Sequence, residues 1–203
     1  MTLEEILALG PVVPVLTIED EAHAVPLARA LVAGGLKALE VTLRTPVALR
    51  CIRQIASEVE GAVVGAGTVL NRTDYDRAVA AGACFAVSPG WVDGIPFYDH
   101  VPFLPAIGTA SEVIRGMSAG FKHFKFFPAV PAGGVAVLKA FAPVFQSVKF
   151  CPTGGVTAAN AGDFLALPNV IAVGGSWVAP DDAIAAGDWS RITQLAKAAT
   201  ALR

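Results

Sequence analysis

Eight short apolar runs recur along the chain, and their spacing limits the folds open to it. They are Pro11–Leu16, Ala38–Leu43, Ala62–Gly65, Cys84–Val87, Phe103–Ile107, His123–Phe127, Val148–Cys151 and Val170–Val173, with starts 19 to 27 residues apart. Most are near-continuous and rich in β-branched or aromatic residues, as strands buried on both faces of a parallel sheet are. Between them, Glu21–Val32, Pro46–Val59, Thr73–Ala81, Ala110–Ala119 and Val135–Phe141 carry apolar residues at three- and four-residue spacing, which predicts crossover helices. Thr45 reads as an N-cap ahead of Pro46 at a first helical position. Asp20 or Glu19 suits the opening of the first crossover, where Pro26 predicts a kink or a late start. Trp91–His100, with Gly94 and Pro96, shows little helix. Met1–Leu9 reads as a leading helix and Asp188–Leu202 as a closing one. Strands alternating with helices make an α/β protein. Eight such units account for all 203 residues. A (β/α)8 TIM barrel, one compact domain over residues 1–203 with an extra N-terminal helix, is the natural closure. An open doubly wound sheet competes with it, but Thr17-Ile-Glu-Asp20 stands after the first run, where that fold carries GxGxxG.

Composition removes several classes of function. AVILMFWYC residues make up 54% of the chain and charged residues 16%, which excludes disorder. A net charge of -2 with no basic run excludes nucleic-acid binding by bulk electrostatics. The longest uncharged stretch, Phe164–Pro180, has 17 residues and contains Pro168, Gly174 and Gly175, so it falls short of the ~20 apolar residues of a spanning helix. Glu4 and Glu5 stand where a signal peptide would be basic. Cys51, Cys84 and Cys151 are odd in number, form no CxxC pair and read as buried thiols of a cytoplasmic protein.

Small and polar residues cluster just after the apolar runs: Gly65-Ala-Gly-Thr68, Ser88-Pro-Gly90, Gly108-Thr109, Pro128-Ala129, Thr153-Gly-Gly155 and Gly174-Gly-Ser176. Glycine and proline punctuate any strand end, yet six such motifs on one end suggest a site, and barrels carry theirs there. Thr153, Gly154 and Gly155 follow the seventh run, and Gly174, Gly175 and Ser176 the eighth. Barrels often bind phosphate at those two positions, through bare backbone N–H groups and a helix N-terminus.

Two ionisable residues stand out within the runs. In Glu40-Val-Thr-Leu-Arg44, alternation puts Glu40, Thr42 and Arg44 on one face. A buried carboxylate is costly unless paired, so Glu40 needs a partner, either Arg44 itself or a group elsewhere. Lys125 lies among Phe124, Phe126 and Phe127. Desolvation there favours the neutral, nucleophilic amine. Of the six lysines, Lys149 is the best rival, but it starts its strand. A buried lysine facing a buried glutamate suits Schiff-base chemistry, with the carboxylate shuttling protons; a purely structural Lys125–Glu40 ion pair is the alternative. The histidines His23, His100 and His123 match no metal-ligand spacing, and no GxSxG is present.

Taken in order, Glu40-Val-Thr-Leu-Arg44, Gly65-Ala-Gly-Thr68, Ser88-Pro-Gly90, Phe124-Lys-Phe-Phe-Pro128, Phe150-Cys-Pro-Thr-Gly-Gly155 and Gly174-Gly-Ser-Trp177 resemble the bacterial 2-keto-3-deoxy-6-phosphogluconate (KDPG) aldolases. That family also includes 4-hydroxy-2-oxoglutarate (KHG) aldolase activity. The resemblance spans nearly the whole chain. It implies a trimeric (β/α)8 class I aldolase that needs no metal or other cofactor. It implies Lys125 as the Schiff-base lysine and Glu40 as the proton-transfer carboxylate. It places Arg44 and Thr68 at the pyruvate carboxylate, and Thr153, Gly154, Gly155 and Ser176 at the phosphate. The chain departs from the family's usual pattern at Val130, where glutamate is usual, at Ala106 in place of glycine, and in the shorter, more aromatic Trp91–His100.

The expected activity is reversible cleavage of KDPG to pyruvate and glyceraldehyde 3-phosphate, with a 2-keto acid and a phosphorylated aldehyde as ligands and no nucleic-acid or membrane partner. A phosphosugar isomerase or epimerase would use Glu40 without Lys125 as nucleophile. A non-catalytic phosphometabolite-binding barrel would keep the glycine motifs around an inert Lys125–Glu40 pair.

Overall fold

A computed structural model describes residues 1–97 and 101–202. Among these, the order is α1 (Leu3–Leu7), β1 (Val12–Leu16), α2 (Ala24–Ala33), β2 (Ala38–Thr42), α3 (Ala48–Glu58), β3 (Val63–Gly67), α4 (Arg72–Ala80), β4 (Ala86–Val87), β5 (Phe103–Leu104), β6 (Ala106–Ile107), α5 (Ala110–Ser118), β7 (His123–Phe126), α6 (Gly134–Phe141), β8 (Lys149–Pro152), α7 (Ala161–Leu165), β9 (Val173–Gly175), α8 (Asp181–Ala185) and α9 (Trp189–Thr200). The fold is α/β, and every strand pair is parallel. A curled six-stranded sheet runs β5-β4-β3-β2-β1-β9, and β6-β7-β8 form a second sheet.

The fifth apolar run is broken where one strand was expected. Phe103–Leu104 pairs with β4 and Ala106–Ile107 with β7. Pro105 stands between them and has no N–H for a ladder, while its carbonyl accepts from the Lys125 N–H at 3.0 Å. The eighth strand also shifts: Val173–Gly175 is the paired segment, and Val170 lies outside it in an isolated bridge to Phe150. A second isolated bridge joins Thr153 to Gly174.

Other local expectations resolve in the same detail. The first crossover starts late, as Pro26 requires: a 3-10 turn at Glu21–His23, capped by Asp20, precedes α2. Thr45 is not an N-cap; its hydroxyl donates to the Ile18 carbonyl at 2.7 Å, and α3 begins after Val47 without a side-chain cap. The described part of Trp91–His100 contains no helix, and residues 98–100, with His100, lie outside the described residues. Cys51 and Cys151 are buried, but Cys84 is exposed, because it precedes β4 instead of lying within it.

The strands separate two cores by simple alternation. One face of the sheets carries Leu39, Val41, Val64, Phe124, Phe126 and Phe150, which pack beneath the helices. The opposite face carries Val13, Ala38, Phe85, Val87, Leu104 and Cys151, which pack against Leu3, Ile6 and Leu7 of α1. A reciprocal capping box between Thr2 and Glu5 fixes the start of that short helix. Further along this same face the buried residues turn polar: Glu40 and Thr42 on β2, Lys125 on β7, and Thr153 just past β8. The apolar plug thus ends where the candidate chemistry begins.

Candidate active site

Glu40 sits mid-strand in β2 and Lys125 in β7, two strands that are not neighbours. Their side chains meet. Lys125 Nζ lies 3.0 Å from Glu40 Oε1 and 3.4 Å from Oε2, with both side chains about 5% exposed or less. The partner Glu40 required is therefore Lys125 and not Arg44. The desolvation of Lys125 has a different source from the one its sequence neighbours suggest. Phe124 and Phe126 alternate onto the opposite face and join the ring cluster with Phe141 and Phe150. Of the three phenylalanines, Phe127 is the one whose ring approaches the amine, with its centroid 5.5 Å from Nζ. Depth beneath the strand ends excludes the water.

Arg44 lies beyond the end of β2, and its Nε donates to Thr68 Oγ1 at 3.2 Å. Thr68 follows β3 with φ +60. A β-branched residue rarely occupies that region, and holding one there costs of order 1–3 kcal/mol. Flanking ladder bonds hold it: Leu43 N–H donates to Gly67 O at 2.8 Å, and Val69 N–H to Val87 O at 3.1 Å. The strained backbone presents the Thr68 hydroxyl to the guanidinium. A planar fork held this way is suited to a carboxylate.

A cavity of about 740 Å³ opens beside these groups, lined by Arg44, Phe127, Val15 and Thr17, by 153–156 and by 174–176. Lys125 and Glu40 do not line it; the Phe127 ring, which does, approaches Lys125 Nζ from the cavity wall. Gly154 and Gly155 have φ +97 and +77, a turn that a side chain would strain. Gly174 is needed for a different reason: a Cβ there would lie 2.2 Å from Thr153 Oγ1. The buried Thr153 hydroxyl donates to Cys151 O at 3.4 Å, and Ser176 is exposed on the cavity wall beside the buried Gly175. These residues are brought together as expected, but not with a helix N-terminus behind them. The helix after the seventh motif starts only at Ala161, and α8 opens with Asp181 and Asp182, which meet its positive end themselves.

Two of the six motifs are consumed locally. Ser88 Oγ donates to Gly90 O at 2.5 Å and accepts from Ala106 N–H at 3.3 Å, tying β4 to β6. The N–H groups of Gly108 and Thr109 both donate to Glu112 at 2.9 Å. The Gly108 N–H chiefly, with the Thr109 donors, holds that carboxylate below its usual range. Val130, one of the departures from the family pattern, lies where a Cβ on Gly155 would strike it at 2.7 Å. Lys149, the rival lysine, donates to Pro168 O at 2.7 Å. His123 faces Glu4 at 4.0 Å, and burial lowers its imidazole. Among the described residues no group of three or more His, Cys, Asp or Glu is placed to hold a metal ion, and no helix is long and apolar enough to cross a membrane.

Sequence reasoning missed Thr17 and Phe127, which line the cavity. Thr17 Oγ1 is 3.1 Å from Thr42 Oγ1, and Thr42 in turn donates to Leu16 O at 3.0 Å. Their signal was position alone: Phe127 closes an apolar run and Thr17 directly follows one, at the end where the other motifs gather. The loop after β1 brings Glu19, Asp20 and His23 to the cavity mouth, and α8 brings Asp181.

A family model for KDPG and KHG aldolase matches residues 3–195. The KHG/KDPG aldolase of Escherichia coli is 52% identical over 199 residues, covering 97% of this chain and 93% of that protein. The 2-dehydro-3-deoxy-phosphogluconate aldolase of Pseudoalteromonas atlantica is 51% identical over 201 residues, covering 98% and 94%. Among solved structures, the KDPG aldolase of Legionella pneumophila, with pyruvate captured as a covalent carbinolamine, has a TM-score of 0.96 and 44% identity and covers 98% of both chains. With family model, sequence relatives and fold in agreement over nearly the whole length, the chain belongs to the KDPG and KHG aldolase family.

Proposed function

We propose that this protein is a class I aldolase that reversibly cleaves 2-dehydro-3-deoxy-6-phosphogluconate to pyruvate and glyceraldehyde 3-phosphate, and that it also cleaves 4-hydroxy-2-oxoglutarate to pyruvate and glyoxylate. The observation that carries this reading is the buried Lys125–Glu40 pair, 3.0 Å apart beside a cavity walled by Arg44 and the glycine turns. Lys125 and Glu40 are the catalytic residues. Glu40 accepts the ammonium proton and leaves a neutral amine. That amine attacks the C2 ketone, and Glu40 returns its proton to the carbinolamine hydroxyl, which leaves as water and gives an iminium. Glu40 then takes the C4 hydroxyl proton, the C3–C4 bond breaks, and its electrons enter the iminium as an enamine. The aldehyde leaves, Glu40 passes its proton to C3 of the enamine, and water adds to the resulting iminium and releases pyruvate and the free lysine.

Arg44 and Thr68 hold the carboxylate beside the ketone; Thr153, Gly154, Gly155, Gly174, Gly175 and Ser176 hold the phosphate. The two sheets are read as arcs of one (β/α)8 barrel over residues 1–203, joined at Pro105 and through the bridges from β8 toward Val170 and Gly174. The fold neighbours, KDPG aldolases, support this. A cytoplasmic homotrimer completes the reading, supported by three free cysteines and by exposed Phe97, Ile114 and Met117. The test is direct. Purified protein given the phosphorylated substrate releases pyruvate, read by coupling to lactate dehydrogenase, with kcat/KM of about 10⁴ M⁻¹s⁻¹ or more. Absence of pyruvate release from a folded preparation would refute it.

A further inference from the structure

Gly67 ends β3 on the polar inner face, opposite Thr42 in register and just before Thr68. Its backbone has no left-handed φ, so the chain conformation does not call for glycine there. The next residue, Thr68, does adopt φ +60 and yet carries a branched side chain. Glycine and threonine thus stand in the reverse of the order that backbone preference alone would select. What forbids a side chain at 67 is contact. A Cβ would lie 2.3 Å from Glu40 Oε1, 2.7 Å from its Cγ and 2.8 Å from its Cδ. The end of the Glu40 side chain occupies the space of the missing methyl, and the oxygen nearest to it, Oε1, is the one 3.0 Å from Lys125 Nζ. Gly65, two residues earlier on the same face, leaves room instead for the apolar plug, with the Phe85 ring 2.5 Å from its own absent Cβ.

We propose that Gly67 is a positioning residue for the aldol reaction: its bare Cα is the seat that fixes the Glu40 carboxylate against Lys125. The inference rests on the roles given above to Glu40 and Lys125. Restoring an ordinary contact of 3.4 Å from 2.3 Å moves Oε1 by about 1 Å. A displacement of that size costs about 100-fold in rate. Burial of both partners leaves Glu40 little room to retreat without losing the amine.

The test is a double-mutant cycle with Gly67→Ala and Glu40→Asp, measured in cleavage kinetics, in the pH profile of kcat and in thermal unfolding. Gly67→Ala lowers kcat about 100-fold and shifts the pH profile, with KM little changed. Aspartate is one methylene shorter and vacates the space a methyl needs. The double variant therefore exceeds the product of the two single effects by tenfold or more, or, if Gly67→Ala fails to fold, regains a cooperative transition. A wild-type kcat and pH profile for Gly67→Ala overturns the proposal. So does a double variant with no coupling in either activity or melting temperature, because the methyl then collides with something other than Glu40. Borohydride trapping of pyruvate on the wild-type chain separates the two levels. If Lys125 is labelled and Gly67→Ala behaves as wild type, only the role of Gly67 falls; if Lys125 is not labelled, the roles of the pair fall with it.

Discussion

Replacing Glu40 by glutamine keeps the shape of the site and removes both the proton acceptor and the negative charge. The side chains of Lys125 and Glu40 are about 5% exposed or less, and the Oε1–Nζ distance is 3.0 Å. Two effects follow, and they separate by assay. The amide cannot take the C4 hydroxyl proton, so cleavage falls by ~10²–10⁴-fold, equivalent to about 2.7–5.4 kcal/mol at 1.36 kcal/mol per decade. The ammonium also loses its counter-charge in a dry site. Breaking a buried pair by removing one partner costs ~3–5 kcal/mol when the other stays charged. Denaturant unfolding of wild type and variant at neutral pH reads the second effect as a loss of stability, and pyruvate release reads the first. Turnover within a few-fold of wild type, or a stability equal to that of wild type, would refute the reasoning.

The two ends of the substrate are separable by their chemistry. Ser176→Ala removes one donor to an anion, worth ~1.5–3 kcal/mol, so kcat/KM on the phosphorylated substrate drops about 10–100-fold while 4-hydroxy-2-oxoglutarate cleavage barely changes; equal losses would clear Ser176 of the phosphate. Arg44→Ala damages both substrates, because both carry a carboxylate beside the ketone. Burial pushes the Cys51 thiol up to about 11 and Cys151 to about 12, so both stay protonated near neutrality. A thiol reagent at pH 8 therefore labels one site per chain, the exposed Cys84, until the protein unfolds. Light scattering is expected to give three chains per particle at micromolar concentration, and a stable monomer would contradict the trimer.

The order of the strands was legible because parallel strands are buried on both faces and stay apolar throughout, whereas the five-residue helices α7 and α8 were not foreseen. The leading helix was legible as well: α1 falls within Met1–Leu9. What the sequence obscured was set by tertiary partners. Thr45 has the chemistry of an N-cap, but Ile18 O offers its hydroxyl a better-placed acceptor across the loop. The short paired segments β5 and β6 follow from Pro105, whose effect on ladder pairing depends on which neighbours lie on each side. Glu40 and Lys125 could be picked out one at a time, because each is a charge in an apolar run. Their contact spans 85 positions of sequence, and only the fold brings them together. Phe124 and Phe126 misled through adjacency: neighbours in a strand face opposite ways, so they say little about the surroundings of Lys125. Gly67 was visible within its motif, but its contact with Glu40 was not, since glycine at a strand end has many possible causes.

The central claim is that Lys125 is the nucleophile, and trapping tests it most directly. Incubation with pyruvate and borohydride is predicted to add one reduced pyruvyl group per chain, found by peptide mass spectrometry on Lys125 and absent from Lys125→Arg. An adduct on Lys149, or no adduct on a chain that still cleaves its substrate, would contradict the account.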